Sequence, residues 1–144
     1  MTAYLLDVNA LIALVDPTHL HHDRAHDWFA AEGSSDWLSC PTTQNGLVRI
    51  VSHPRYSNAV PSPADAIRSL QSLVRIGGHR FIPDRLSLLD REHFLSEQLL
   101  ASGQVTDTYL VALAKSEHAQ LATFDKRLAA TAVPEGPGFL ALIP

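Results

Sequence analysis

The stretch AYLLDVNALIAL, residues 3–14, places a single carboxylate, Asp7, between two apolar runs. The first run is short and continuously apolar, which is typical of a strand buried on both faces of a parallel sheet. The second run has the spacing of a helix, and Asn9 is a residue type that caps helix amino termini. We therefore predict that Asp7 lies at the carboxyl end of a central strand, the edge at which open α/β sheets bind ligands. A carboxylate there either stabilises the start of the helix or belongs to a binding site.

The composition indicates a folded globular chain. Hydrophobic residues make up 46% of the 144 residues and charged residues 18%, and no apolar run is long enough to cross a bilayer. The sequence opens without the charged region and apolar core of a signal peptide, and its one cysteine, Cys40, excludes an internal disulfide. We expect one domain over residues 1–144, no membrane association, a cytoplasmic location and a buried Cys40 side chain.

The formal net charge of −4 does not favour nucleic-acid binding through overall positive charge. Three explanations stay open. The chain avoids nucleic acid, binds it through a local basic patch, or recruits divalent cations to an acidic site and so inverts the local charge.

Predicted strands and helices alternate along the rest of the chain. Helices are expected at residues 19–31, 42–53, 63–76, 87–101, 107–118 and 125–130. Strands are expected at residues 37–40, 81–82, 121–124 and 138–143, the last of them at an edge of the sheet. Such alternation predicts right-handed crossovers and a parallel sheet that helices cover on both faces. The expected fold is a three-layer α/β/α domain with a mainly parallel central sheet.

The predicted helix at 19–31 combines apolar residues with several histidines. We expect Leu20 and Trp28 to pack into the core. His22 and His26 are four residues apart, as in some zinc sites, but no cysteine or clear acidic partner completes a zinc ligand set. A polar face of the helix is therefore the preferred interpretation of these histidines.

Three aspartates fall where this fold brings separate segments together. Asp7 follows the first strand, Asp125 follows the strand at 121–124, and Asp107 opens a predicted helix. Strand carboxyl ends and the amino ends of the following helices share one edge of a parallel sheet, so the three carboxylates can meet there. Each aspartate alone is also explained by its favourable place at a helix start. Together they favour a site.

A site with three carboxylates suits a hard divalent cation. Asn9 and Thr123 add neutral oxygen atoms nearby, and an all-oxygen ligand set is preferred by Mg²⁺ or Mn²⁺ rather than by zinc. Bound metal relieves the repulsion between the carboxylates and a phosphodiester, and it lowers the pKa of a bound water. These residues therefore point to metal-dependent phosphodiester hydrolysis.

Four blocks of sequence carry a family resemblance. They are LDVNALIAL (6–14), PTTQNGLVR (41–49), VTDTYLVALA (105–114) and LATFDKRL (121–128). In this order they resemble the PIN-domain family and, within it, the VapC-type toxin ribonucleases, over essentially the whole chain. The resemblance implies a Mg²⁺- or Mn²⁺-dependent endoribonuclease that is the toxin of a type II toxin–antitoxin pair. It also implies an RNA substrate, a cognate antitoxin protein that holds the enzyme inactive, and a homodimer.

The resemblance also implies which residues form the site. The family's metal-binding acids correspond to Asp7, Asp107 and Asp125, with Asn9 and Thr123 as supporting polar groups. A fourth catalytic position, usually a glutamate, falls on Gln44. Glutamine keeps an oxygen of similar reach but lacks the negative charge, so metal is expected to bind less strongly. Either the enzyme works with fewer charges, or the chain is a catalytically attenuated RNA- or protein-binding module, which is the alternative function.

Four basic residues lie near these acids in the sequence: Arg49, Arg55, Lys126 and Arg127. They either bind RNA phosphates beside the acidic site or belong to solvated helix faces. A third function, an aspartyl-phosphate receiver, is suggested by an aspartate after the first strand. Asn9 stands where such a protein has a second aspartate, so this function is disfavoured.

Overall fold

The structure is a computed structural model that describes residues 2–144, and its centre is a five-stranded sheet. The strands are β1 (Ala3–Leu6), β2 (Trp37–Ser39), β3 (His79–Phe81), β4 (Ala119–Thr123) and β5 (Leu140–Leu142). The helices are α1 (Val8–Val15), α2 (His22–Ala31), α3 (Pro41–Val51), α4 (Pro63–Val74) and α5 (Val105–Ser116). The strand order is β3-β2-β1-β4-β5 and every pairing is parallel, so the predicted parallel α/β sheet is confirmed, with β5 at an edge. Within residues 2–144, every helix falls short of the length and hydropathy needed to cross a bilayer.

The side chains of β1 alternate between two hydrophobic cores, one on each face of the sheet. Tyr4 and Leu6 pack with residues of α1 to α4, whereas Ala3 and Leu5 pack with residues of α5. Leu5 and Leu6 have no exposed surface, because successive strand residues point to opposite faces and both faces are covered. This burial confirms the three-layer α/β/α arrangement, with β1 as its central strand.

Helices α1 and α3 pack closely at a glycine. A Cβ atom at Gly46 would lie 2.7 Å from Val8 Cγ2, closer than side chains normally approach. Helix α3 begins directly after Cys40, whose side chain is fully buried as predicted. The contact between Gly46 and Val8 brings the first turn of α3, with Gln44, to the edge of the sheet where Asp7 precedes α1.

Asp16 ends α1 and links it to the loop after α3. Its carboxylate accepts hydrogen bonds from Tyr56 Oη (2.5 Å), Asn58 Nδ2 (2.7 Å) and the Thr18 backbone N (2.9 Å). Burial alone raises the pKa of this carboxyl, but the hydrogen bonds outweigh burial and hold its pKa at about 2. The ionised form of Asp16 is therefore the one that the fold stabilises.

The histidines of α2 form hydrogen bonds with backbone carbonyls at the end of α1. His22 Nδ1 lies 2.7 Å from the Ala13 carbonyl oxygen, and His26 Nε2 lies 2.8 Å from that of Leu14. These carbonyls belong to the last turn of α1, where no helical N–H remains to bind them. The spacing of four residues thus supports helix capping.

One predicted core residue near these histidines is wrong. Leu20 is 87% exposed because α2 begins only at His22, so Leu20 lies in the preceding turn and has no helix face to share. Trp28, which is inside the helix, is buried as predicted.

Two predicted helices are also wrong. Residues 87–101 form turns and a single short 3₁₀ segment, and residues 125–130 form a turn after β4. Asp90 and Asp125 each accept a hydrogen bond from the backbone N–H two residues further along, at 2.9 Å. An aspartate side chain that accepts a hydrogen bond from a nearby backbone N–H can cap a helix or stabilise a turn, and in both segments a turn forms.

Candidate active site

The carboxyl ends of β1 and β4 lie side by side and bring Asp7 next to Thr123. Leu6 pairs with Ala122, and the Asp7 backbone N donates a hydrogen bond to the Ala122 carbonyl at 2.9 Å. The backbone hydrogen bonds between β1 and β4 thus continue one residue past the end of β1, to the point at which α1 begins. There the Thr123 hydroxyl donates to Asp7 Oδ2 at 2.8 Å, across 116 residues of sequence.

Asp7 is a buried carboxylate that caps α1. Its Oδ1 accepts a hydrogen bond from the Val8 backbone N at 2.8 Å, and its exposed fraction is 6%. Burial raises the pKa of Asp7, the Thr123 and Val8 hydrogen bonds lower it, and the charge of Asp125 raises it, with a net increase. The expectation that Asn9 caps this helix is wrong, because α1 begins at Val8 and the capping place belongs to Asp7.

Asn9 instead connects α1 to β4 through both ends of its amide. Its Nδ2 donates to Thr123 Oγ1 at 3.0 Å, and its Oδ1 accepts from the Phe124 backbone N at 3.1 Å. Thr123 Oγ1 also accepts from the Asp125 backbone N at 3.0 Å. Because the buried hydroxyl accepts these two bonds, its one proton is left for Asp7. The two predicted supporting groups therefore both lie beside Asp7, and they fix its direction.

Asp107 lies in the first turn of α5, across the edge from Asp7. Its pKa is raised to about 6, first by burial and then by the negative charges of Asp7 and Asp125. Asp7 and Asp125 both contribute to the raised pKa of Asp107, so the three predicted acids share one electrostatic environment. None of the three forms a salt bridge within residues 2–144.

The donor set at this edge fits a hard divalent cation. The three carboxylates carry net negative charge that no salt bridge among the described residues offsets, and Thr123 and Asn9 contribute only neutral groups. A cation with oxygen ligands would relieve the repulsion that raises the pKa of Asp107. The residues at this edge are therefore compatible with a divalent metal ion that takes oxygen ligands.

A tighter group of metal-ligating side chains lies elsewhere in residues 2–144. Asp90, Glu92 and His93 bring ligand atoms within 4.8 Å of one another on the loop between β3 and α5. Asp90 and Glu92 are exposed, and the loop turns account for their spacing. The acids at the sheet edge do not form so tight a group, as expected for like charges that repel one another.

Gln44 reaches the same edge from α3, but its side chain turns to the sheet. Its Nε2 donates to Ser39 Oγ at 3.0 Å, and Ser39 Oγ in turn lies 2.7 Å from His79 Nε2. Gln44 also borders a groove of about 720 Å³ between α3 and α4. Ser39 and His79 were not predicted as site residues, because only pairing of β2 with β3 makes them neighbours.

The predicted basic residues form two separate groups, and only one of them adjoins an aspartate of the site. Lys126 and Arg127 are at the surface and follow Asp125 directly, and Arg49 lines the groove that Gln44 borders. Arg49 and Arg55 together line a smaller cavity at the end of α3. All four cations are without a salt bridge within the described part of the chain.

A cationic and aromatic cluster beside Asp125 was not predicted. The His21 ring stacks on Phe124 with centroids 4.7 Å apart, and the Arg24 guanidinium lies 5.3 Å from the centre of the same ring. The pKa of His21 is lowered by burial and by the positive charges of Arg24, His19 and Lys126. The only sequence signal was Phe124 itself, an aromatic residue between Thr123 and Asp125.

The family model that describes the PIN domain matches residues 4–134 of this chain. Among curated relatives, ribonuclease VapC38 of Mycobacterium tuberculosis is 42% identical over 121 residues, which cover 84% of each chain. Ribonuclease VapC44 of the same organism is 42% identical over 130 residues, covering 90% of this chain and 91% of the relative.

Two solved structures share the fold at low sequence identity. One is VapC20 of Mycobacterium tuberculosis, described as a sarcin-ricin loop cleaving toxin, with a TM-score of 0.62, 12% identity and coverage of 92% of this chain and 97% of that one. The other is VapBC2 of Rickettsia felis bound to a promoter DNA fragment, with a TM-score of 0.62, 14% identity and coverage of 98% and 97%. At these identities the structures support the fold alone.

Proposed function

The chain belongs to the PIN-domain family, among the VapC-type ribonucleases, and on this premise we propose that it is a toxin that hydrolyses RNA phosphodiester bonds. The observation that carries the proposal is the acidic edge formed by Asp7, Asp107 and Asp125, where burial, together with the neighbouring negative charges, raises the pKa values of Asp7 and Asp107. Clustered carboxylates that lack salt bridges are the ligands that metal-assisted phosphodiester hydrolysis uses.

We propose that Asp7, Asp107 and Asp125 hold the cation and that it is Mg²⁺ or Mn²⁺. A divalent cation supplies a bound water of lowered pKa and stabilises the charge that develops on the phosphoryl oxygens. Thr123 favours the ionised form of Asp7 and orients it, because its proton points at Asp7 Oδ2. Asn9 donates a hydrogen bond to the Thr123 hydroxyl and holds its proton in that direction. Asn9 therefore positions Asp7 indirectly, through Thr123.

The RNA chain is proposed to be held by the cations that flank the acidic edge. Lys126 and Arg127 follow Asp125 in the turn after β4, Arg49 lies on α3, and Arg55 lies in the turn that follows α3. These surface side chains, which form no salt bridge within residues 2–144, can neutralise phosphates locally although the whole chain is acidic. This arrangement corresponds to a local basic patch beside a cation site.

The protein partner is proposed to be an antitoxin, as the family resemblance implies. One solved structure with this fold is named VapBC2, and we take this name to denote a toxin together with its antitoxin. We propose a homodimer on the grounds of the family resemblance, and the cytoplasm as the compartment in which RNA and an antitoxin are both available. Co-purification with the protein encoded by the neighbouring gene tests the first proposal, and light scattering of the purified chain tests the second.

The nuclease proposal is tested by RNA cleavage with purified protein. Cleavage is expected with added Mg²⁺ or Mn²⁺ and is expected to stop with EDTA. Asp7→Asn should slow cleavage by roughly 100-fold, as loss of groups that bind or orient a catalytic metal does. Asp27→Asn, which changes an exposed acid of α2, is the matched control and should cleave normally. Metal-independent cleavage that survives Asp7→Asn would overturn the proposal.

A second function, an attenuated binding module, is favoured by Gln44. Its amide donates to Ser39 and brings no negative charge to the edge. In this case the native chain binds RNA or protein but cleaves weakly, and Gln44→Glu should raise both cleavage rate and Mn²⁺ affinity sharply. Equal activity of the two forms would instead support a fully active nuclease that works with glutamine.

A further inference from the structure

A chain of hydrogen bonds connects Gln44 to the interior of the sheet. Gln44 Nε2 donates to Ser39 Oγ at 3.0 Å, and Ser39 Oγ lies 2.7 Å from His79 Nε2. Ser39 is 0% exposed, and the His79 ring packs against Trp37 with centroids 4.4 Å apart. The three polar residues come from α3, β2 and β3, so the chain crosses three elements.

The direction of each hydrogen bond follows from the groups involved. An amide nitrogen can only donate, so Ser39 Oγ accepts from Gln44. The hydroxyl proton of Ser39 then needs an acceptor, and within residues 2–144 the only one in reach is His79 Nε2. That nitrogen must be unprotonated, so the imidazole proton lies on Nδ1. Burial also lowers the pKa of His79, which favours the neutral ring.

The direction of these bonds also determines which atom Gln44 presents outward. With Nε2 held by Ser39, the carboxamide oxygen faces away from the Ser39 hydroxyl. It lies in the first turn of α3, which the contact of Gly46 with Val8 holds beside the start of α1. Without Ser39 and His79, the amide could rotate and present N–H groups, which repel a cation.

We propose that Ser39 and His79 are positioning residues that orient the Gln44 carboxamide, so that a neutral oxygen donor faces the acidic edge in place of a carboxylate. This inference rests on the proposed metal site and adds residues to it. A glutamate at this position cannot donate to Ser39. The Ser39 proton would then turn to the carboxylate, and His79 would have to donate from Nε2. The identity of residue 44 and the position of the imidazole proton are therefore linked.

The first test reads the His79 tautomer by NMR of ¹⁵N-labelled full-length protein. In the native protein we expect Nδ1 protonated and Nε2 bare and hydrogen-bonded. In Gln44→Glu we expect the proton on Nε2. The same tautomer in both proteins, or a proton on Nε2 in the native protein, would overturn the inference. A structural role of His79 alone would not make its tautomer depend on residue 44.

The second test measures Mn²⁺ binding by titration calorimetry. Ser39→Ala and His79→Phe should each weaken Mn²⁺ binding about fivefold, as the loss of one orienting hydrogen bond does. His79→Gln should bind Mn²⁺ like the native protein, because its side-chain oxygen can accept the Ser39 proton. Ser52→Ala, which removes a hydroxyl at the far end of α3, is the control and should also match the native protein. Unchanged binding in both Ser39→Ala and His79→Phe would contradict the inference.

The two tests separate this inference from the proposed function. If the tautomer switches and Mn²⁺ binding changes as expected while no RNA is cleaved, the positioning role stands and the nuclease proposal fails. If RNA is cleaved but the tautomer is insensitive to residue 44, the nuclease proposal stands and the positioning role fails.

Discussion

Thr123 controls the acidic edge at the scale of single residues. Its buried hydroxyl accepts from Asn9 and from the Asp125 backbone, and it donates to Asp7. This oxygen atom thus makes all three hydrogen bonds that a hydroxyl can make, two as acceptor and one as donor, which fixes the direction of its proton. Of the side chains on β4, it is the one that donates a hydrogen bond to the Asp7 carboxylate and so fixes its orientation.

Replacing Thr123 with the isosteric valine should therefore destabilise the protein. Thr123→Val leaves the buried Asp7 carboxylate without its hydroxyl donor, and we expect the free energy of unfolding to fall by about 2 kcal/mol at pH 7. Urea denaturation followed by circular dichroism measures this. Thr123→Ser keeps the hydroxyl and should lose much less. A valine variant as stable as the native protein would show that the hydrogen bond contributes little.

At the scale of elements, Asp16 links the end of α1 to the loop after α3. The folded-state pKa of Asp16 is about 2, below its ordinary value of 3.8, because Tyr56, Asn58 and Thr18 bind its ionised form. A lowered pKa contributes stability above the unfolded-state pKa, and that stability is lost as pH falls through the folded-state value. The relevant window is thus about pH 4 to pH 2.

We expect the native protein to lose about 2 kcal/mol of stability in this window through Asp16 alone. Urea denaturation at pH 5 and at steps down to pH 2 measures this loss. Because other acids also titrate, the informative quantity is the difference from Asp16→Asn, which should be largest at pH 5 and shrink towards pH 2. Asp27→Asn is the matched control and should follow the native curve. A difference that does not vary with pH would contradict the assigned pKa.

Local properties of the sequence predicted some elements of the fold and not others. The apolar stretch of β1 and the helix predicted from residue 63, which is α4, were predictable, because burial and backbone capping are local properties. Residues 87–101 were not, because Asp90 stabilises a turn with the same hydrogen bond that would cap a helix. Local patterns cannot choose between these two outcomes.

The candidate site was predictable only in part for a related reason. The position of Asp7 after a buried strand follows from the sequence near it. The link from Gln44 through Ser39 to His79 depends on the pairing of β2 with β3 across 40 residues. A single sequence carries no signal for contacts of that kind, and the family resemblance covers only positions that the family shares.

At the scale of the whole molecule, positive charge is divided between paired and unpaired side chains. The chain has eleven Lys and Arg residues. Within residues 2–144 five of them form salt bridges with acids: Arg68, Arg80, Arg85, Arg91 and Lys115. Lys126 and Arg127, next to Asp125, are not among those five. An acidic protein can thus keep a local cationic surface for a phosphate chain.

Neutralising this surface should change the salt dependence of RNA binding. In an Asp7→Asn background that blocks cleavage, the double change Lys126→Gln and Arg127→Gln should weaken binding. It should also lower the slope of log affinity against log salt by about 0.7 for each RNA phosphate that the protein no longer neutralises. Fluorescence anisotropy with single-stranded RNA, from low to moderate KCl concentration, measures the slope. Arg91→Gln, at a cation paired with Glu97, should leave it unchanged. An unchanged slope in the double variant would remove these residues from the binding surface.

The order of the strands has a consequence for when the protein becomes active during its own synthesis. Asp7 emerges from the ribosome early, but its partner Thr123 lies 116 residues later, and β4 must enter the sheet beside β1 before the two meet. Contacts between such distant segments form late, because closing a long loop costs entropy that only the finished sheet compensates. A chain in which β4 has not yet joined the sheet therefore carries Asp7 without the hydroxyl that orients it. For a protein whose proposed substrate is RNA, the acidic edge is thus among the last parts of the fold to assemble.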